Sequence, residues 1–153
     1  MRAISLWQPW ASLIAVGLKP YETRHWHPGT YRVGHRIAIH ATARKPGTDD
    51  VAMWMAALPV GTHDSRLPLG AIVCTAYLAG AYKVLRWTEA GNPVLENIGE
   101  IADDGFGDYS VGRYCWHLID IERCEPPIRI RGAQGWWDWC APGDAQPTGE
   151  GWG

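Results

Sequence analysis

Ser5-Leu6-Trp7-Gln8-Pro9-Trp10-Ala11, with Gly17-Leu18-Lys19-Pro20-Tyr21-Glu22-Thr23-Arg24 close behind it, is the stretch on which the reading of this chain turns. Pro9 suits the first turn of a helix, where its missing N–H has no partner to lose, and Gly17 suits the left-handed stop that ends one. A helix is therefore predicted from Trp10 to about Val16, turning Leu13, Ile14 and Val16 inward. The chain then runs extended through Glu22 to about Trp26. Side chains alternate along an extended segment, so Glu22 and Arg24 share one face and Tyr21 and Thr23 the other. Lys19, Glu22 and Arg24 thus set a cation, an anion and a cation just past a helix stop. A carboxylate so flanked can accept hydrogen bonds from an amino-bearing base while the cations meet phosphate or a carbonyl oxygen. A plainer reading stays open beside it: a surface Lys19–Glu22 ion pair is worth under about 1 kcal/mol, and the Arg24 stem can simply cover apolar surface.

Outward from this stretch, Arg36 to Ala41 reads as a strand with Ile37 and Ile39 inward. Thr48-Asp49-Asp50 opens a helix that carries Val51, Met53, Trp54, Met55 and Leu58 onto the core and stops at Pro59. Gly61 to Pro68 is a turn-rich connector. Leu69 to Tyr82 is expected to be a long strand interrupted at Gly80, and Trp87 to Phe106, broken by Gly91-Asn92-Pro93, a mobile insertion with at most one short helix. Tyr114 to Cys124 is apolar on both faces, and Ile128 to Arg131 alternates, placing Arg129 and Arg131 on one face. Strands outnumber helices, which favours a mixed α+β fold built on a small β-barrel with two or three flanking helices; pattern alone leaves a sandwich open.

The 153 residues make one domain, expected over 1–140, with a Pro- and Gly-rich tail over 141–153 that should fray. A net charge of −2 argues against a protein that coats nucleic acid through a broad basic surface, so any polyanion contact must be local. Neither a signal-peptide run nor a membrane-length apolar run is present, so the chain is expected to be soluble and cytoplasmic, with no membrane partner. Cys74, Cys115, Cys124 and Cys140 lack zinc-ribbon spacing and read as buried reduced thiols. His25, His27, His35 and His40 do not complete a metal set, and neither metal nor cofactor is implied. Most of the ten tryptophans must be structural in a chain with a single Phe. Trp7 and Trp10 stand apart because they flank Gln8-Pro9 in a stiff loop, where an amide can read a base edge and a ring can stack on a base.

The Gln8-Pro9-Trp10-Ala11 loop and the Gly17-x-Lys19-x-x-Glu22-x-Arg24 run resemble the ASCH family, small relatives of PUA domains. The resemblance extends to Arg36–Ala41, Leu69–Val73, Gly107–Trp116 and Arg131-Gly132-Ala133-Gln134-Gly135, in order, over most of residues 3 to 139. It implies a PUA-like barrel whose cleft receives RNA, single-stranded DNA or a modified nucleoside. On that reading the ligand meets Gln8, Pro9, Trp10, Lys19, Glu22, Arg24, His40, Tyr109, Ser110, Arg113 and Arg131. The late loop supplies a ring, a hydroxyl and a guanidinium, with Gly112 allowing close backbone approach. An enzyme in the same cleft is the alternative, since some ASCH-like proteins deacetylate N4-acetylcytidine and others are described as ribonucleases. Lys19, Glu22, Tyr109 and Ser110 would then be catalytic. The small amidohydrolases carry threonine three residues after the lysine, whereas this chain has Glu22 there and Thr23 on the opposite strand face. A protein-interaction domain that kept the fold without the ligand is the third reading.

Overall fold

The computed structural model describes residues 1–62 and 64–143, so most of the expected tail lies outside the described residues. The chain runs β1 (Arg2–Leu6), α1 (Trp10–Ala15), β2 (Tyr21–Arg24), β3 (His35–Ala41), α2 (Thr48–Ala57), β4 (Ala71–Trp87), β5 (Pro93–Leu95), β6 (Gly99–Glu100), β7 (Tyr114–Arg129) and β8 (Trp137–Asp138). The fold is mixed α+β, with two helices among the described residues. No helix of these residues is long and apolar enough to cross a membrane.

The sheet path is β2-β7-β4-β3-β1-β8, with β1 and β3 parallel and the other neighbours antiparallel. β2 and β8 end the path without pairing with each other, so the expected closed barrel is instead an open sheet. The reason lies in the edges. β2 has four residues and β8 two, and β8 reaches only Arg2 and Ala3 of β1, leaving the rest of that strand's outer edge uncovered. β4 and β7 form the spine of the sheet, and their register shifts after Ile72, Thr75 and Leu78 bend it, since an extra residue on one strand kinks and twists a ladder. β4 runs past its expected end at Tyr82 to Trp87, and at Gly80, where an interruption was expected, its ladder with β7 shifts register without ending. A Cβ on Gly80 would overlap the Tyr82 ring.

α1 is buried from Ala11 to Ala15 and fills the concave side with Ile4, Leu6, Ile37, Ile39, Trp116 and Leu118. Pro9 caps α1 rather than opening it, after a cis Gln8–Pro9 bond. Gly17, at φ 81°, lets the amides of Gly17 and Leu18 fold back onto Ile14 O and Leu13 O, which satisfies carbonyls that the helix end would leave unpaired. α2 packs differently from its pattern: Trp54 alone is buried, its Nε1 donating to Ser65 O at 2.8 Å, while Val51 and Met55 face solvent. The 87–106 insertion contains no helix and folds as the β5–β6 hairpin against the end of β4. Leu95 seals a second cluster there with Val84, Tyr109 and Cys115. Cys74 and Cys115 are buried and burial pushes both thiols up to about 12, whereas Cys124 is half-buried and Cys140 exposed.

Candidate functional site: a cleft at the open seam of the sheet

The two uncovered edges, β2 and the C-terminal half of β1, come together. Leu118 N donates to Pro20 O across the β2–β7 ladder, so by alternation the carbonyls of Tyr21 and Thr23 face away from β7. Cations occupy both: Lys19 Nζ donates to Tyr21 O, and Arg113 Nη2 donates to Thr23 O at 3.0 Å. On β1, Leu6 O accepts from Thr42 N next to β3, which turns the Ser5 carbonyl outward. Arg24 Nη2 reaches it at 3.1 Å and so ties β2 to β1 across the seam.

Glu22 joins these cations. Its Oε1 lies 3.3 Å from Arg24 Nε and its Oε2 3.6 Å from Lys19 Nζ. Lys19 is only 3% exposed and Glu22 9%, so the trio is not a solvated surface pair. Alternation placed Glu22 and Arg24 together as read from the sequence, and it also puts Trp26 within cation–π reach of Arg24, 5.5 Å from guanidinium carbon to ring centroid. Beside the trio opens a cleft of about 390 Å³ whose walls include Ser5, Trp7, Trp10, Glu22, Arg24, Trp26 and Arg113. One wall comes from β1 and its following loop, the other from β2 and the entry to β7. Trp26 was missed in the sequence reading although its two-residue spacing from Arg24 signals it.

The remaining candidates separate. Gln8 is 2% exposed; its Nε2 donates to Ser12 Oγ at 2.7 Å and Pro68 O at 2.8 Å, and its Oε1 accepts from Ser12 N at 3.1 Å. Pro9 is buried as well. Both shape the loop, and its rings, Trp7 and Trp10, face the cleft. His40 is 2% exposed and lies outside the cleft wall. Its Nε2 meets Ile130 O at 2.9 Å, which can only accept, so Nε2 carries the proton and Nδ1 accepts from the Ser5 hydroxyl at 3.0 Å. Ser5 Oγ in turn accepts from Trp137 Nε1 at 3.1 Å. Burial lowers the His40 pKa, partly opposed by the Ile130 bond.

Tyr109 is a core residue. Its hydroxyl donates to Asp104 Oδ2 at 3.0 Å, and burial, then the Asp104 charge, raises its pKa. Ser110 is exposed and donates through its hydroxyl to Asp108, whose carboxyl is held below its ordinary range by Ser110 first and Arg113 after it. Asp108 N donates to Thr23 Oγ1 at 3.0 Å, and Asp108 Oδ2 lies 3.5 Å from Arg113 Nε. The late loop therefore delivers Arg113 to the cleft and spends its other polar groups on holding that position. Arg131 is exposed and does not line the cleft. A larger groove, about 1100 Å³, runs between α1, Trp54 and the ends of β4 and β7; none of the predicted site residues lines it.

An open mixed sheet with an aromatic cleft at its seam, where a carboxylate sits between cations, defines a small α+β domain with a candidate binding site. The chain belongs to the ASCH domain family, whose profile matches residues 4–127. Its fold is similar to the crystal structure of ASCH from Zymomonas mobilis, at 19% identity and a TM-score of 0.53, over 94% of this chain and 89% of that one. A mutant of that protein, also from Zymomonas mobilis, is similar over 92% of this chain and 87% of the other, at 19% identity and a TM-score of 0.50. No curated protein matches the chain.

Proposed function

We propose that the seam cleft captures one nucleobase, carried by RNA, single-stranded DNA or a modified nucleoside. The observation that carries this reading is the Glu22 carboxylate, set between Lys19 and Arg24 in the wall of a cleft that also presents Trp10 and Trp26. A carboxylate accepts only, so it selects a ligand edge with donors, as an exocyclic amine provides. The ion pairs use one direction on each oxygen and leave lone pairs for that amine. Trp10 offers a face to the base, and Arg24 and Arg113 supply positive charge for the attached phosphate. A cleft of this volume accepts a base and its sugar but not a duplex, which agrees with a chain of net charge −2.

The test is a tryptophan-fluorescence titration with the common nucleosides, N4-acetylcytidine and short oligonucleotides. Glu22→Gln should weaken the best ligand by about tenfold or more, as expected for loss of a charged hydrogen bond. Unchanged affinity would remove Glu22 from the reading.

One observation favours hydrolysis as a second reading: the Lys19 ammonium, which does not itself line the cleft, is buried against Glu22, which does. Glu22 would take a proton from water as its oxygen attacks the acetyl carbonyl of N4-acetylcytidine, then return that proton to the departing amine, giving acetate and cytidine. Thr23 is not the nucleophile in this scheme, because its hydroxyl is tied to the Asp108 amide. Release of acetate in the presence of a chelator, lost in Lys19→Ala, would establish it. The ribonuclease alternative has less support, since His40 and Tyr109 are engaged away from the cleft.

A further inference from the structure

Trp7 is the least buried tryptophan of the cleft, 57% exposed, although the loop that carries it is pinned from below. Gln8 is locked to Ser12 and Pro68, and Pro9 is buried, so the indole is held out on a stiff base. A single exposed indole is ordinary on its own; what sets Trp7 apart is that it borders the cleft beside Trp10 and Glu22. One face of its ring is already taken. β1 and β3 are parallel and end side by side at Leu6 and Ala41, so the residues that follow, Trp7 on one and Arg44 on the other, leave the sheet together. The Arg44 guanidinium carbon stands 3.6 Å from the centroid of the Trp7 ring. A guanidinium at that distance backs the ring and adds positive charge beneath it. Lys45 follows directly.

We infer that Trp7, backed by Arg44, is a second stacking platform at the mouth of the cleft, which makes the ligand at least a dinucleotide rather than a free nucleoside. One base enters beside Glu22, the neighbouring base stacks on the open face of Trp7, and the linking phosphate lies within the field of Arg24, Arg113 and Arg44. This rests on the base-capture reading and narrows it to a strand. It also gives Arg44 a role that a surface cation lacks: the guanidinium fixes which face of the indole remains available.

The experiment compares affinities of the full chain for nucleosides and for dinucleoside monophosphates built from them, in ribose and deoxyribose forms. Stacking of one more base should tighten binding by about fivefold or more. Trp7→Ala should collapse the dinucleotide-to-nucleoside ratio toward one, Trp7→Phe should keep much of it, and Arg44→Gln should reduce it with a smaller salt dependence. A ratio near one in the wild-type chain, or a ratio that survives Trp7→Ala, overturns the second platform while leaving base capture standing. Absence of binding by nucleosides and dinucleotides alike overturns both. Equal ratios for ribose and deoxyribose mean a platform that serves either strand, and a ratio confined to one sugar assigns that strand as the ligand.

Discussion

Gln8 spends its whole side-chain amide inside the protein, binding Ser12 twice and the Pro68 carbonyl across sixty positions of sequence. Gln8→Ala would leave Ser12 N and Pro68 O short of a partner in a buried setting, so unfolding free energy should fall by about 2–4 kcal/mol in a denaturant titration. Trp7→Ala, at an exposed ring, should change it by no more than about 0.5 kcal/mol. The contrast separates a residue that builds the loop from one that the loop displays. It also shows what sequence can carry at this scale. Glu22 and Arg24 were found together because strand alternation is local geometry. Gln8 looked like a ligand contact because its partner Pro68 belongs to another part of the chain, and Tyr109 looked like a cleft ring because Val84 and Leu95, which pack against it, are also remote.

Among elements, α1 was legible almost to the residue, since Pro9 and Gly17 mark its ends through their own backbone limits. α2 and the 87–106 segment were not. The apolar positions of α2 suggested a packed face, yet among the described residues Val51 and Met55 are exposed, and the insertion takes strand form where the long β4 offers it an edge. β8 is held by a different device. Trp137, Ser5, His40 and Ile130 form one hydrogen-bonded chain that fastens the last strand and its approach to β1 and β3. A Cβ on Gly132 would overlap the His40 ring, so the approach runs tight against it. His40 is held neutral there, with a folded-state pKa below the ordinary 6.5. In the unfolded chain it takes up a proton near that value, so stability is fully present above it and declines as pH falls toward the lower folded value. His117, lowered by burial, acts in the same direction. The thermal midpoint should therefore be lower at pH 5 than at pH 7.5. His40→Gln, which titrates no proton, should narrow that difference; an unchanged difference would remove His40 as a source.

For the whole molecule, the decisive feature is a sheet that stops short of closing. The family resemblance pointed to a barrel, and the curvature that makes one is present in the bulged β4–β7 pair. Closure fails where β2 and β8 are too short, and side chains take the place of a ladder: Lys19, Arg24 and Arg113 cap the carbonyls that another strand would have bonded. The site is thus a consequence of incomplete pairing. No local pattern announces this, because it depends on which strands meet at the ends of the path. With so few cations at the seam and a net charge of −2, oligonucleotide affinity should depend only weakly on salt. For Arg24 and Arg113 at the cleft and Arg44 at its mouth, a logarithmic slope of about −2 is expected for a single strand. A slope of about −5 or steeper would mean a much broader phosphate surface than the cleft provides.

A base bound in the seam cleft shifts the indole N–H resonances around it, which an NMR titration with a dinucleotide reports directly. The signals of Trp7 and Trp10 should move, while those of Trp116 in the core and Trp54 in the larger groove stay in place. Movement of Trp54 with Trp7 and Trp10 unmoved would contradict base capture in the seam cleft.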